Sequence, residues 1–187
     1  MIFPKYAKLK AFYPNLPAKQ VYELVGGDVY KCYQDNPTGY ANACALRLSR
    51  AFNYTEKPIV SSKFYYMEKG ADAKAYILRV KDMIRYLKNH YGKPTYTFTK
   101  TAAGILRENN IFHKIEKFDN YEKAMHELQG VIVFYVSGWS DASGHVTLYS
   151  DANHGFIENK CEDNHCYFEH EGQPNVNTYK IELWSVA

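Results

Sequence analysis

Val131-Ile132-Val133-Phe134-Tyr135-Val136 is a β-branched and aromatic run, and it predicts a buried strand. Gly138-Trp139-Ser140-Asp141-Ala142-Ser143-Gly144 follows as a turn-rich loop. From His145 to Tyr149 the chain alternates, with His145, Thr147 and Tyr149 facing one way and Val146 and Leu148 the other. Tyr179 to Val186 alternates again and predicts another strand. Upstream the period changes. Asn42 to Phe52 reads as a helix capped by Asn42, with Leu48, Ala51 and Phe52 on one side and Cys44 and Ala45 a turn earlier. Ile77, Val80, Ile84 and Leu87 predict a longer helix over 71–90, ended by Gly92 and Pro94. A further helix is expected over 121–128, between Asn120 as cap and Gly130 as stop. Asn36-Pro37-Thr38-Gly39 reads as a turn. Helices first and antiparallel strands after make an α+β pattern.

The chain has 187 residues, enough for one domain with a real core, and we expect a single domain over 1–187. The outlying residue type is tyrosine, at 18 copies, which suits a sugar or peptide groove as well as an ordinary core. A net charge of +3 with no basic stripe argues against nucleic acid and mildly favours a substrate that carries carboxylates. No apolar run is long enough to span a membrane, and Met1-Ile2-Phe3-Pro4-Lys5 opens no signal-peptide core.

Cys44 falls in the first turn of its expected helix, where the helix N-terminus favours negative charge and hence a thiolate. A thiolate is the nucleophile that acyl transfer needs, and the free N–H groups of that turn suit an oxyanion. The competing reading is a small buried thiol on an apolar helix face. His145 opens an alternating strand, a rigid mount for a general base, although six other histidines compete with it. Asp151 and Asp163 are the aspartates that could fix the imidazole tautomer. Cys161 and Cys166, spaced C-x4-C, read as a short-loop disulfide, as two free thiols, or as half of a zinc site with His154, His165 or His170.

Two segments carry a resemblance to a known family: Asn42-Ala43-Cys44-Ala45-Leu46-Arg47-Leu48-Ser49, and Trp139-Ser140-Asp141-Ala142-Ser143-Gly144-His145-Val146-Thr147-Leu148-Tyr149. Together they resemble the type VI secretion amidase effectors of the fourth family, whose fold is similar to the papain-like NlpC/P60 peptidases. There the pattern is N-x-C-A-x-R-x-S on a helix, then D-A-[ST]-G-H-[IV]-x-L-[WY] on a strand. Leu183-Trp184 in the last strand also fits, and the resemblance covers the chain from about Gly39 to the end. It departs from the family in the long segment Asp151 to Lys160 before Cys161, and in Tyr149-Ser150-Asp151 where the family favours Trp-Asn-Gly.

The resemblance implies a helical N-terminal half packed on an antiparallel β-sheet, and a Cys-His-Asp triad of Cys44, His145 and Asp163, with Asp151 as the alternative third member. It implies no metal and no cofactor. The implied substrate is bacterial peptidoglycan, cut at the amide between D-glutamate and meso-diaminopimelate. The implied partners are a cognate immunity protein and the type VI secretion apparatus, which injects the toxin into a rival's periplasm without a signal peptide. A Cys161–Cys166 disulfide would close on arrival. Trp139 and Tyr149 are expected to line the substrate groove. Arg47 is expected either to meet a substrate carboxylate or to lie on a solvated helix face. The alternatives are a cysteine peptidase or acyltransferase of other substrate, a catalytically inactive wall-binding or interaction module, and a zinc-stabilised interaction domain.

Overall fold

The computed structural model describes residues 2–100, 106–108, 111–112, 127–139, 144–150, 155–156, 167 and 173–186. It divides into two compact units at Gly92, one of Met1–Gly92 and one of Lys93–Ala187. Gly92, at φ 81°, closes the last helix of the first unit, and Pro94 follows two positions on.

The first unit holds five helices: α1 (Tyr6–Phe12), α2 (Ala18–Val25), α3 (Gly27–Asp35), α4 (Cys44–Asn53) and α5 (Val80–Tyr91). A two-stranded antiparallel ribbon, β1 (Met67–Lys69) and β2 (Ala75–Ile77), lies between the last two. α1 to α3 were not legible in the sequence, where their aromatics are interrupted by Pro14, Pro17 and Gly26-Gly27. The turn at 36–39 forms, with the Gly39 N–H donating to Asn36 Oδ1 at 2.9 Å.

α4 is the centre of this unit and touches α1, α2, α5 and β2. Every one of its residues except Arg50 is buried, so it is not the amphipathic surface helix its apolar spacing suggested. Its buried polar side chains are each joined to backbone of a neighbouring segment. Arg47 Nη1 donates to the Pro14 carbonyl at 2.7 Å. Ser49 Oγ donates to the Ile77 carbonyl and accepts from the Ile77 N–H, both at 3.0 Å. Asn53 Nδ2 donates to the Ala75 carbonyl at 2.8 Å while its Oδ1 accepts from the Ile59 N–H at 2.9 Å.

The helix expected over 71–90 begins at Val80 instead. Residues 67–77 form the ribbon, and Asp72 is the reason. Its Oδ1 accepts from the Lys74 N–H at 3.1 Å, and its Oδ2 accepts from the Tyr76 and Tyr54 hydroxyls at 2.8 and 2.9 Å. That local carboxylate bonding offers the backbone a turn in place of a helix. Ala75, Tyr76 and Ile77 are then buried in succession, which mimics a helical stripe in the sequence.

The second unit is a seven-stranded antiparallel sheet in the order β5-β4-β3-β9-β6-β7-β8. Its strands are β3 (Tyr96–Lys100), β4 (Leu106–Glu108), β5 (Ile111–Phe112), β6 (Gln129–Ser137), β7 (Gly144–Ser150), β8 (Gly155–Phe156) and β9 (Asn177–Ser185). The C-terminal strand β9 lies centrally between β3 and β6, and its register with β6 shifts at Tyr135/Val136, a bulge. Ile132, Phe134 and Val136 of β6, Tyr149 of β7, Ile181 and Leu183 of β9 and Phe98 of β3 build one core cluster. Gly130 is a strand residue, where the sequence suggested a helix stop; a Cβ there would fall 2.0 Å from the Trp184 carbonyl oxygen, so only glycine lets β6 and β9 approach. Of the helix expected over 121–128, residues 121–126 lie outside the described residues, as does its cap Asn120.

Candidate active site

Cys44 is the first residue of α4, and it is 2% exposed. The sequence suggested Asn42 as helix cap; the capping position is Ala43, and Asn42 acts from one residue further out. Its Oδ1 accepts the Cys44 backbone N–H at 3.0 Å. The amides of Ala45 and Leu46 follow in the same turn, where no helical carbonyl lies ahead of them. Arg47 N–H already reaches back to the Ala43 carbonyl at 2.9 Å. The thiol therefore sits in a turn whose N–H groups point at incoming negative charge.

Behind Cys44 stands Tyr22 of α2, fully buried in a cluster with Val21, Val25, Val29, Ala43, Leu46, Tyr76 and Leu78. Its hydroxyl has no hydrogen-bond partner among the described residues. Burial pushes this phenol well above its ordinary range, and the neighbouring Cys44, Tyr40 and Cys32 push the same way. It is a neutral O–H beside the thiol, and the sequence reading passed over it. Cys32 and Cys44 are both free thiols.

His145 lies in the second unit, at the start of β7, opposite Phe134 of β6. It is 4% exposed, on a rigid strand that is buried along its whole length. Its ring stacks on Tyr167 with centroids 4.0 Å apart and planes 8° apart. Tyr167 in turn stacks on Phe134 at 5.5 Å. Its backbone is pinned by Thr178 of β9, whose Oγ1 donates to the Tyr167 carbonyl at 2.6 Å. The imidazole is thus held in one plane between a strand and a tethered ring, which fixes the direction of its nitrogens. Tyr167 was not singled out in the sequence, where nothing local marks a partner 22 positions from His145.

The remaining expected site residues divide. Trp139 is half-buried at the edge of the sheet core. Tyr149 is a member of that core and only 4% exposed. Arg47, 2% exposed and bonded to Pro14, is not on a solvated helix face. Asp151, Asp163, Cys161 and Cys166 lie outside the described residues, as do His154, His165 and His170. Among the described residues no cluster of metal-ligating side chains occurs, and no helix is long and apolar enough to cross a membrane.

The family described as Type VI secretion system (T6SS), amidase effector protein 4, matches residues 40–184, which takes in α4 and the sheet up to, but not including, the last residue of β9. The chain belongs to this amidase effector family. Its members are peptidoglycan amidases delivered by type VI secretion, and this chain is a hydrolase of that kind. Solved structures agree over the full length. The Tae4 effector of Enterobacter cloacae in complex with Tai4 is 27% identical, with all of both chains covered and a TM-score of 0.73. The Tae4 of Salmonella typhimurium, solved with Tai4 as a selenomethionine variant, is 29% identical over 99% of each chain, with a TM-score of 0.72. The Enterobacter cloacae Tae4 solved as the effector is 26% identical over 100% of this chain and 98% of that one, TM-score 0.73. No curated protein matches the chain. Amidase effectors of this family share the papain-like NlpC/P60 fold expected from the two motifs. In that light the Arg and Ser of the N-x-C-A-x-R-x-S motif are scaffold: Arg47 and Ser49 fasten α4 to Pro14 and Ile77.

Proposed function

We propose that the amidase cleaves the amide between D-glutamate and meso-diaminopimelate, with Cys44 as nucleophile, His145 as general base and Asp163 as the group that orients His145. The observation that carries this reading is Cys44 at the first position of a helix buried at every residue but Arg50, where first-turn amides have no helical carbonyl ahead of them. His145 removes the thiol proton as sulfur bonds the γ-carbonyl carbon. The carbonyl π electrons move to oxygen, which the first-turn amides stabilise. Asn42 Oδ1 holds the Cys44 N–H in the resting enzyme and has to release it if that N–H is to serve. The tetrahedral intermediate then expels the diaminopimelate amine, which takes its proton from the imidazolium. Water, deprotonated by His145, attacks the thioester and restores the thiol.

Asp163 is preferred to Asp151 on the family pattern, in which the aspartate follows a loop cysteine after the histidine strand, here Cys161-Glu162-Asp163. Trp139 is the aromatic side chain proposed to line the groove. A Cys161–Cys166 disulfide, action in the target cell's periplasm and inhibition by an immunity protein of the Tai4 kind complete the reading; the solved relatives include complexes with Tai4.

The test is digestion of purified Gram-negative peptidoglycan with fragments identified by mass spectrometry. The protein should generate new ends at the glutamate–diaminopimelate bond, Cys44→Ala none, and Asp163→Asn at least ~100-fold fewer than Asp151→Asn. Cleavage by Cys44→Ala at a rate near that of the native protein would sink the assignment of the nucleophile. No cleavage by either protein, on a substrate that a control enzyme digests, would favour an inactive wall-binding module.

A further inference from the structure

The sequence offered Arg47 as the cation for substrate carboxylates, but its guanidinium is buried and bonded to Pro14. Another arginine is placed for that task. Arg79, the residue before α5, is exposed and makes no ion pair among the described residues. Its guanidinium carbon lies 3.9 Å from the centroid of the Tyr66 ring. Tyr66 is joined at 3.2 Å to the hydroxyl of Tyr40, which precedes Cys44 by four residues. Tyr40 in turn meets the edge of Tyr22, the buried ring beside Cys44, with centroids 6.0 Å apart. Cys32 Sγ lies 3.9 Å from the Tyr66 hydroxyl on the inner side. Tyr40 and Tyr66 therefore connect the fully buried Tyr22, which is under the electrostatic influence of Cys44, to an exposed guanidinium.

The geometry points to a carboxylate subsite made by Arg79 where it lies on the Tyr66 ring, which receives a free carboxylate of the peptidoglycan stem peptide. Stacking occupies one face of the guanidinium and leaves its N–H edges open for a bidentate carboxylate. It also restrains a long side chain before substrate arrives, so less freedom is lost on binding. The two hydroxyls share one proton between them and Glu68 also bonds Tyr66, so the charge that meets an incoming carboxylate is that of Arg79. Tyr66 stays neutral: the Tyr40 hydroxyl, burial and then Cys32 all raise it. The Glu68 side chain also hydrogen-bonds this hydroxyl and raises it further. A γ-glutamyl bond suits such a receptor, since it leaves the α-carboxylate of D-glutamate free beside the scissile carbonyl. This subsite rests on the wall-peptide reading above.

The experiment uses the full chain with Cys44→Ala, so that peptide binds without turnover, compared with the same protein carrying Arg79→Gln. The probes are a disaccharide-tetrapeptide from Gram-negative wall and the same compound with the glutamate or the diaminopimelate carboxylate amidated. By calorimetry, Arg79→Gln should weaken the free-carboxylate probe about 10- to 100-fold. One of the two amidated probes should bind weakly to the parent and lose nothing further with Arg79→Gln. With Cys44 present, Arg79→Gln should raise KM and leave kcat within about threefold. Equal losses on free and amidated probes, no loss at all, or no binding of any probe by the Cys44→Ala protein would each overturn the proposal. A cut at a different bond, seen by mass spectrometry, would overturn only the γ-glutamyl assignment, and the binding comparison would still decide Arg79.

Discussion

Ser49→Ala tests how α4, the helix that Cys44 opens, is anchored. Ser49 is wholly buried, and its single oxygen serves both polar groups of one peptide residue: it donates to the Ile77 carbonyl and accepts from the Ile77 N–H. Alanine keeps the helix propensity and most of the volume but strips that partner from two buried backbone groups. Each orphaned group costs about 1–3 kcal/mol, partly offset because the serine hydroxyl no longer has to be desolvated. A net loss of about 2–4 kcal/mol follows, which for a chain of this size lowers Tm by about 4–16 °C. Ser62→Ala is the matched control, since Ser62 Oγ only accepts from the Phe64 N–H in an exposed turn and should change stability by less than about 0.5 kcal/mol. The assay is thermal unfolding by circular dichroism, together with amide hydrogen exchange at Ile77, whose protection should fall sharply. If Ser49→Ala melts with the parent and the Ile77 amide stays protected, the claim that this hydroxyl fastens α4 to β2 is wrong.

Three further outcomes are expected. Asp72 is subject to opposing influences: burial pushes its carboxyl up, but the Tyr76 hydroxyl, the Lys74 amide and the Tyr54 hydroxyl outweigh it and hold the carboxyl below its ordinary range. A carboxyl lowered by folding contributes stability above its unfolded value and loses it as pH falls through the folded one. Asp72→Ala should therefore be less stable than the parent at pH 7, with the gap closing below about pH 4; a gap independent of pH in urea titrations would refute this. Tyr22→Phe removes a buried hydroxyl that has no hydrogen-bond partner among the described residues, so stability should be unchanged or rise by up to about 1 kcal/mol in urea denaturation; a loss above that size would show that the hydroxyl is satisfied. Tyr167→Ala leaves the His145 ring without its stacking partner, and should lower kcat on wall peptides about 10-fold or more while Cys44 still reacts with iodoacetamide; an unchanged kcat would remove Tyr167 from the positioning of the base.

The sequence by itself determined the strands 131–136, 145–149 and 179–186, because a β-branched run and a period of two are local signals that survive any packing. It also determined that Cys44 opens a helix and that Gly92 ends one. Tertiary structure decided the rest. Residues 71–79 read as helix because Ile77 and Val80 fall at helical spacing, yet Asp72 bonded to Tyr54 and Tyr76 turns them into a ribbon, and Tyr54 comes from 18 residues away. Gly130 read as a helix stop, yet it is the place where β6 meets the carbonyl of Trp184, 54 positions on. At the site, Cys44 and His145 were singled out from motifs as the candidate pair. The ring that holds His145, the acceptor on the Cys44 amide and the burial of Arg47 were not. Each of these depends on a partner brought close by the fold, and a one-dimensional pattern of apolar and polar residues carries no record of which distant side chain will satisfy a buried group.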